Sequence, residues 1–278
     1  MRYRQHPLAP PLSRFVECVW FLRSDGGGAG AGPERIVPDG CPELVLQLAS
    51  PCRASRDGEP PALQPMALLA GPLTSSLLVE PAGPVDTLGI RFRPGGLAPF
   101  LPIPVDELVD RQVPLEDLFG RDAALLAECV RAAPDDARRL AAAARFLSAR
   151  LPEPDAPRRP VEVAIGRMLR RRGPVSIERL SCDLGISRRH LERSFRRETG
   201  MTAMQLGRVI RFQSVFRELS RGGTDWVGVA LGCGYYDQPH LIRDFRELAG
   251  QAPGAFLRED GAFGKVFLSP ERLERFFS

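Results

Sequence analysis

The sequence is poor in lysine, histidine and paired cysteine. Lys265 is the single lysine, so nearly every cation is an arginine. The three histidines are His6, His190 and His240, and His6 alone stands in the front half. A metal-dependent enzyme built on a β-barrel wants two or three histidines in its strands. No Ser-His-Asp or Cys-His arrangement can be assembled there without His6. The chain is therefore expected to be no enzyme, with no catalytic residue, no cofactor and no metal. The six cysteines (Cys18, Cys41, Cys52, Cys129, Cys182, Cys233) form no C-x-x-C pair. That scatter builds neither a zinc site nor a disulfide framework, and they read as free thiols of a reducing cytoplasm. Cys41, in PDGCPEL, has no cation beside it in sequence and is expected to pack quietly rather than act as a thiol sensor. No eighteen-residue apolar run crosses a membrane. MRYRQHPLAPPLSRFVECVWFLR lacks a signal-peptide pattern, so a cytoplasmic protein is expected. DGGGAGAG (Asp25 to Gly32) lacks the Lys-Ser/Thr ending of a phosphate cradle and reads as a flexible loop.

What the sequence holds is room for two domains in 278 residues, and an uneven charge. Residues 1–156 carry 16 basic and 20 acidic side chains, residues 157–260 carry 19 and 12, and the last eighteen carry 3 and 2. A basic block behind an acidic one suits a polyanionic partner, or is a solvated face. FVECVWFL, ELVLQLA, MALLAG and TLGIRF have strand length and are bounded by turn residues such as PDG, AGP and RPGG. From Gly95 onward short helices follow, then a longer one in DARRLAAAARFLSAR. LPEPDAPRRP ends it, and its prolines mark a linker near Pro154 to Pro160.

Beyond the linker the pattern is helical. VEVAIGRMLRRRG places Val161, Ile165, Met168 and Leu169 on one side, and IERLSCD is a short helix ended by Leu184 and Gly185. Ser187 is an N-cap for the next helix, with Ile186 and Leu191 as its hydrophobic staple. Leu191 and Phe195 face inward, while Arg188, Arg189, Glu192, Arg193 and Arg196 face out. Fifty residues on, the grammar repeats. DWVGVALGCG is a helix and turn, Asp237 a cap, Tyr236 and Leu241 the staple, and Pro239 a first-turn residue. Leu241 and Phe245 face inward, and Gln238, His240, Arg243 and Arg246 face out. Thr202 to Leu219 forms the connecting helix, with Leu206, Ile210, Val215, Phe216 and Leu219 as its core. SPERLERFF is a capped short helix whose Leu273, Phe276 and Phe277 dock on a neighbouring domain or a second subunit.

A short helix, a tight turn and a second helix with a basic face form a helix-turn-helix, whose second helix enters the major groove. Two such units on one connecting helix can read one face of DNA about one turn, roughly 34 Å, apart. Arg193 and Arg243 suit guanine and Gln238 suits adenine. Glu192 suits cytosine, or else an i,i+4 salt bridge with Arg188 or Arg196. Arg188, Arg196 and Arg246 suit phosphates. Asp39, Glu43, Arg91 and Arg93 are candidates to line an effector pocket, or else to cap turns and pair with one another.

SIERLSCDLGISRRHLERSFRRETG, followed by VALGCGYYDQPHLIRDFRELAGQAPGAFLRE, resembles the DNA-binding region of the AraC/XylS family of bacterial transcription regulators. The resemblance covers Val161 to Glu259, and GYYDQPHLIRDFRELAG is its signature stretch. IVPDGCPELVLQL and GIRFRPGGLAPFL are more loosely similar to β-rich front domains of one branch. The resemblance implies base contacts from Arg189, Glu192 and Arg193 in the first unit, and from Gln238, Pro239, His240 and Arg243 in the second. Pro239 departs from a hydrogen-bonding reader and offers only an apolar contact. Ser181 stands where the family favours alanine, a position Ala230 fills in the second unit. The implied fold is α+β: a β-rich, cupin-like domain over residues 1–120, a helical segment and linker over 121–160, an all-α domain with two helix-turn-helix units over 161–260, and a tail over 261–278. The implied partners are double-stranded DNA, RNA polymerase and a small-molecule effector, with a homodimer possible and no membrane. An enzyme with an accessory helical part, or a protein-interaction module, are the alternatives.

Overall fold

A computed structural model describes residues 1–24, 32–56, 58–151, 157–222, 225–258 and 269–277. Most of the glycine-rich loop, the middle of the proline linker and the first part of the tail lie outside the described residues.

Among the described residues ten strands precede the α-helices: β1 (Arg2–His6), β2 (Val16–Arg23), β3 (Glu34–Ile36), β4 (Glu43–Gln47), β5 (Cys52–Ser55), β6 (Ala62–Leu63), β7 (Ala67–Ala70), β8 (Leu77–Pro81), β9 (Asp86–Phe92) and β10 (Gln112–Pro114). The larger sheet runs β1-β2-β9-β4-β7-β10 and the smaller β3-β8-β5-β6, with every pair antiparallel. Side chains alternate between the faces of a strand. On the larger sheet Val19, Phe21, Leu44, Leu46, Leu88 and Ile90 share one face and one core. Cys18, Trp20 and Leu22 belong to another, on the side that looks across a cavity toward the smaller sheet.

The first face is covered by α1 (Leu115–Phe119), α2 (Arg121–Ala132) and α3 (Asp136–Ser148), which contribute Leu126, Val130, Phe146 and Leu147 to its core. Burying one such Leu or Phe contributes about 1.5–3 kcal/mol. Asp135 starts α3 by accepting the Arg138 N–H at 2.7 Å, and Arg139 fastens the helix to the sheet through Asp86 at 2.9 Å. The helical segment after residue 120 thus packs against the larger sheet.

The second helical group comprises α4 (Pro160–Arg171), α5 (Ile177–Asp183), α6 (Arg188–Thr199), α7 (Ala203–Ser220), α8 (Trp226–Gly232), α9 (Gln238–Ala249), α10 (Pro253–Arg258) and α11 (Pro270–Phe276). Its core joins Val161, Ile165 and Met168 of α4 to Leu206, Ile210 and Val215 of α7, the faces expected from their spacing. Leu273 and Phe276 of α11 enter the same core, so the tail helix docks on its own chain. The α-helical and β-rich parts also touch. Gln213 in α7 donates to the Pro38 carbonyl at 2.7 Å, Arg159 donates to that of Gly95 at 2.8 Å, and Arg14 pairs with Glu162 at 3.0 Å.

Candidate DNA-reading face and effector pocket

Each helix-turn-helix unit is fixed by its own local chemistry. Ser187 accepts the His190 N–H at 3.2 Å to start α6, and Asp237 accepts that of His240 at 2.8 Å to start α9. Both helices end at a glycine in the left-handed region, Gly200 at φ 73° and Gly250 at φ 74°. Gly200 has a second reason to lack a side chain, since a Cβ there would sit 2.6 Å from Val109 of the β-rich part. Leu191 and Phe195 of α6, and Leu241 and Phe245 of α9, are fully buried. Ser181 and Ala230 are both buried, and the Ser181 hydroxyl donates to the Glu178 carbonyl at 2.9 Å, so the departure from alanine leaves no unmatched polar group.

The outer faces carry Arg188, Arg189, Glu192, Arg193 and Arg196 on α6, and Pro239, Arg243 and Arg246 on α9, all exposed. Gln238 is half-buried at the start of α9. Glu192 accepts from Arg188 at 2.8 Å, the intrahelical salt bridge weighed against a base contact. His240 does not stand out from the face as expected. It is half-buried, its ring packs edge-on to Tyr235, and Arg211 donates to its Nε2 at 3.2 Å. The expected staple between Tyr236 and Leu241 is also absent, because Tyr236 is 86% exposed. Tyr235, one residue earlier, turns inward and stacks under the Arg211 guanidinium. Asp244 is the buried anchor that the repeat does not reveal. It accepts from Arg208 at 2.7 Å and from Arg211 at 2.8 Å, locking α9 to α7. The first unit has Ser194 at the matching position.

The cavity between the two sheets has a volume of about 270 Å³. Of the four candidate pocket residues, Asp39, Glu43 and Arg91 line it and Arg93 does not. Arg93 follows the last residue of β9 and donates to the Ser13 carbonyl at 3.1 Å, on another side of the molecule. The three lining residues belong to a buried ion cluster. Arg91 pairs with Asp39, with Glu43 at 2.7 Å and with Glu17 at 3.9 Å. Arg272 of α11 enters from the helical side and reaches Asp39 at 2.8 Å, Glu17 at 3.4 Å and the Gln213 amide oxygen at 3.2 Å. The register of β2 against β9 slips between Val16 and Cys18, and Glu17 is the extra residue of that bulge. A bulge re-aims a side chain, here a carboxylate, out of strict alternation. Sequence reasoning missed Glu17 and Arg272, although a lone Glu inside FVECVWFL is the kind of misfit that marks a buried charge.

Burial works to raise the Asp39 carboxyl, but Arg91 and Arg272 outweigh it and hold the group below its ordinary value. Burial pushes the Cys41 thiol well up, and Asp39 and Glu17 push it further despite the two guanidinium groups nearby. The thiolate is suppressed, which fits quiet packing, although cations do neighbour Cys41 in space. Burial also raises Glu43, to about 7, against the pull of Arg91. Between the ordinary value of 4.5 and about 7, folded Glu43 keeps a proton that the unfolded chain has lost. Stability owed to this group is therefore greatest below that window and falls as pH rises through it. Urea unfolding at pH 5 and pH 8 is expected to show a smaller loss with rising pH in Glu43→Gln than in the unaltered protein. An equal loss in both would remove Glu43 as its source.

Residues 180–259 match the model of a helix-turn-helix domain, and residues 4–114 match that of a domain of unknown function (DUF6597). No curated protein matches the chain. Among solved structures, the P21 crystal form of ToxT from Vibrio cholerae is similar at 8% identity and a TM-score of 0.47, over 92% of this chain and 98% of that one. Wild-type ToxT from the same organism with bound unsaturated fatty acid is similar at 9% identity and a TM-score of 0.44, over 88% and 95%. Among the described residues no group of His, Cys, Asp and Glu could hold a metal ion, and no helix is long and apolar enough to cross a membrane.

Proposed function

We propose that this chain, a DNA-binding transcription regulator of the AraC type, lays α6 and α9 in successive major grooves under the control of a small molecule in the cavity between its sheets. The observation that carries this reading is the pair of capped helices with matched buried anchors and open arginine faces. Arg189, Glu192 and Arg193 read bases from α6, and Gln238, Pro239 and Arg243 read them from α9. Arg188, Arg196 and Arg246 grip phosphates, which supplies affinity without sequence information. His240, held by Arg211, orients the start of α9 more than it reads.

On this reading residues 1–120 sense, residues 161–260 bind DNA, the segment 121–160 completes the sensor and leads out of it, and the tail 261–278 ties the two together. The chain turns over no substrate and acts in the cytoplasm with RNA polymerase as its expected protein partner. Control works by population shift: a ligand that favours one arrangement of the ion cluster changes how the helical part is held. Arg193→Ala is expected to cost about 1–3 kcal/mol on cognate DNA and to relax preference at one base pair. Arg196→Ala is expected to weaken cognate and scrambled DNA alike and to reduce the salt slope by about 1. Gel-shift titrations of both variants on both DNAs check this. Identical profiles for the two would show that the roles are wrongly divided.

A further inference from the structure

The cavity has apolar walls and an acidic floor. Trp20, Leu22, Ile36, Val45, Val79 and Val85 supply wall surface. The indole of Trp20 lies over Gly89, where even a Cβ would sit 2.0 Å from a ring atom, so that wall is fixed in place. The polar lining is unbalanced, with five carboxylates (Glu34, Asp39, Glu43, Glu59 and Asp110) against the guanidinium groups of Arg56, Arg91 and Arg111.

Of these cations, Arg91 and Arg56 are held by carboxylates, and Arg111 is turned to solvent. Arg91 lies among three carboxylates, Arg56 is bonded to Asp110 at 3.0 Å and to Ser75, and Arg111 is exposed and donates to the Glu107 carbonyl. Within the cluster, Glu17 and Asp39 are each reached by both Arg91 and Arg272, whereas Glu43 contacts Arg91 alone. Two carboxylates balance two guanidinium groups, and Glu43 is the surplus one, facing the cavity. A buried carboxylate in excess of the cations around it is costly unless it is protonated or meets a further cation. An aromatic wall adds attraction for a cation over its face.

We infer that the cavity takes an amphipathic cation, with an ammonium group against Glu43 and an aromatic or aliphatic body along the Trp20 wall. This deepens the regulatory reading and rests on it. At roughly 30 Å³ for each water-sized group, a cavity of about 270 Å³ holds roughly nine non-hydrogen atoms. A carboxylate ligand placed beside Glu43 would face Glu43 and Asp39, whose neighbouring guanidinium groups are already shared among three carboxylates.

The groups facing Glu43 are Arg91 of β9, Asp39 of the loop before β4, Glu17 of the β2 bulge and Arg272 of α11, with Tyr3 of β1 and Cys18 of β2 in electrostatic reach and Cys41 lining the same cavity. The thiols of Cys41 and Cys18 and the Tyr3 phenol are all pushed up by burial and stay protonated, while Asp39 stays ionised. Glu43 is the member that titrates near 7. Cation binding therefore strengthens as pH rises through that value.

The test is calorimetric titration of the full chain at pH 8 with three nearly isosteric probes: benzylamine, benzyl alcohol and benzoate. Benzylamine is expected to bind at least tenfold more tightly than the alcohol, with benzoate weakest. Glu43→Gln is expected to remove that tenfold preference and leave the alcohol within twofold, and lowering the pH to 6 should weaken the amine in the unaltered protein. Should Glu43→Gln fail to fold, the pH comparison decides alone. Benzoate binding more tightly than benzylamine, undiminished amine binding in the variant, no fall at pH 6, or no binding of any probe would overturn the inference. A DNA titration on the same preparation, with fragments from the protein's own genomic neighbourhood, separates the two readings. DNA binding with a failed amine result sinks the ligand class alone, whereas loss of DNA binding sinks the regulatory reading.

Discussion

Replacing Arg272 with alanine is expected to destabilise the folded chain by about 3–5 kcal/mol, the cost of breaking a buried ion pair from one side. The guanidinium is 1% exposed and bonds to Asp39, Glu17 and Gln213 together. Its removal leaves three carboxylates around Arg91 and an amide oxygen of α7 without its donor. The loss falls on the seam between the two halves, because Arg272 is carried by α11 and its acidic partners by the β-rich part. Urea unfolding followed by tryptophan fluorescence and by circular dichroism is expected to show a lower midpoint and separated transitions. Arg272→Lys is expected to recover only part of the loss, since an ammonium group cannot make the same planar fork. A midpoint unchanged in the alanine variant would mean that the cluster does not hold the halves together.

Replacing Asp244 with alanine is expected to cost a similar amount, about 3–5 kcal/mol, for the same physical reason at another place. Its carboxylate is 4% exposed and is shared by Arg208 and Arg211, so truncation leaves Arg211 without its carboxylate, whereas Arg208 keeps Glu247. Arg211 also supports Tyr235 and His240, and the start of α9 loosens with it. The DNA contacts proposed for Gln238 and Arg243 should then fail while those proposed for α6 survive. Footprints of this variant are expected to lose one protected stretch and keep the other. The matching change Ser194→Ala in α6 is expected to be nearly silent, because Ser194 anchors no cation. Equal effects of the two substitutions would contradict this division.

Much of the helical half was legible because most of its helices bury one face and start at a side-chain cap. The spacings of Val161, Ile165 and Met168, of Leu191 and Phe195, and of Leu241 and Phe245 identified inward faces that are buried in one core. Ser187 and Asp237 cap as their residue types suggest. The β-rich half was harder to read, since β2 is buried on both sides, from Val16 to Leu22. A strand covered on both faces shows a continuous apolar run instead of alternation. FVECVWFL thus announces a strand without saying which residues face the cavity, and the bulge at Glu17 shifts that assignment further. β3 and β5 are short and contain Glu34, Arg35 and Arg53, so no apolar pattern marks them. Arg93 was misplaced because two-residue spacing from Arg91 holds only while the strand continues, and it stops at Phe92. Tyr236 failed as a staple because its neighbour Tyr235 already fills the space beside Arg211. Partners such as Asp39 and Arg272, 233 residues apart, leave no mark in local pattern.

Hydroxyl-radical footprinting of the full chain, at low salt, on fragments from its own genomic neighbourhood tests the central claim most directly. Two protected stretches are predicted on one face of the duplex, with centres about one helical turn apart. Arg193→Ala should weaken one stretch and Arg243→Ala the other. A single stretch insensitive to either substitution, or no protection of any fragment, would contradict the account.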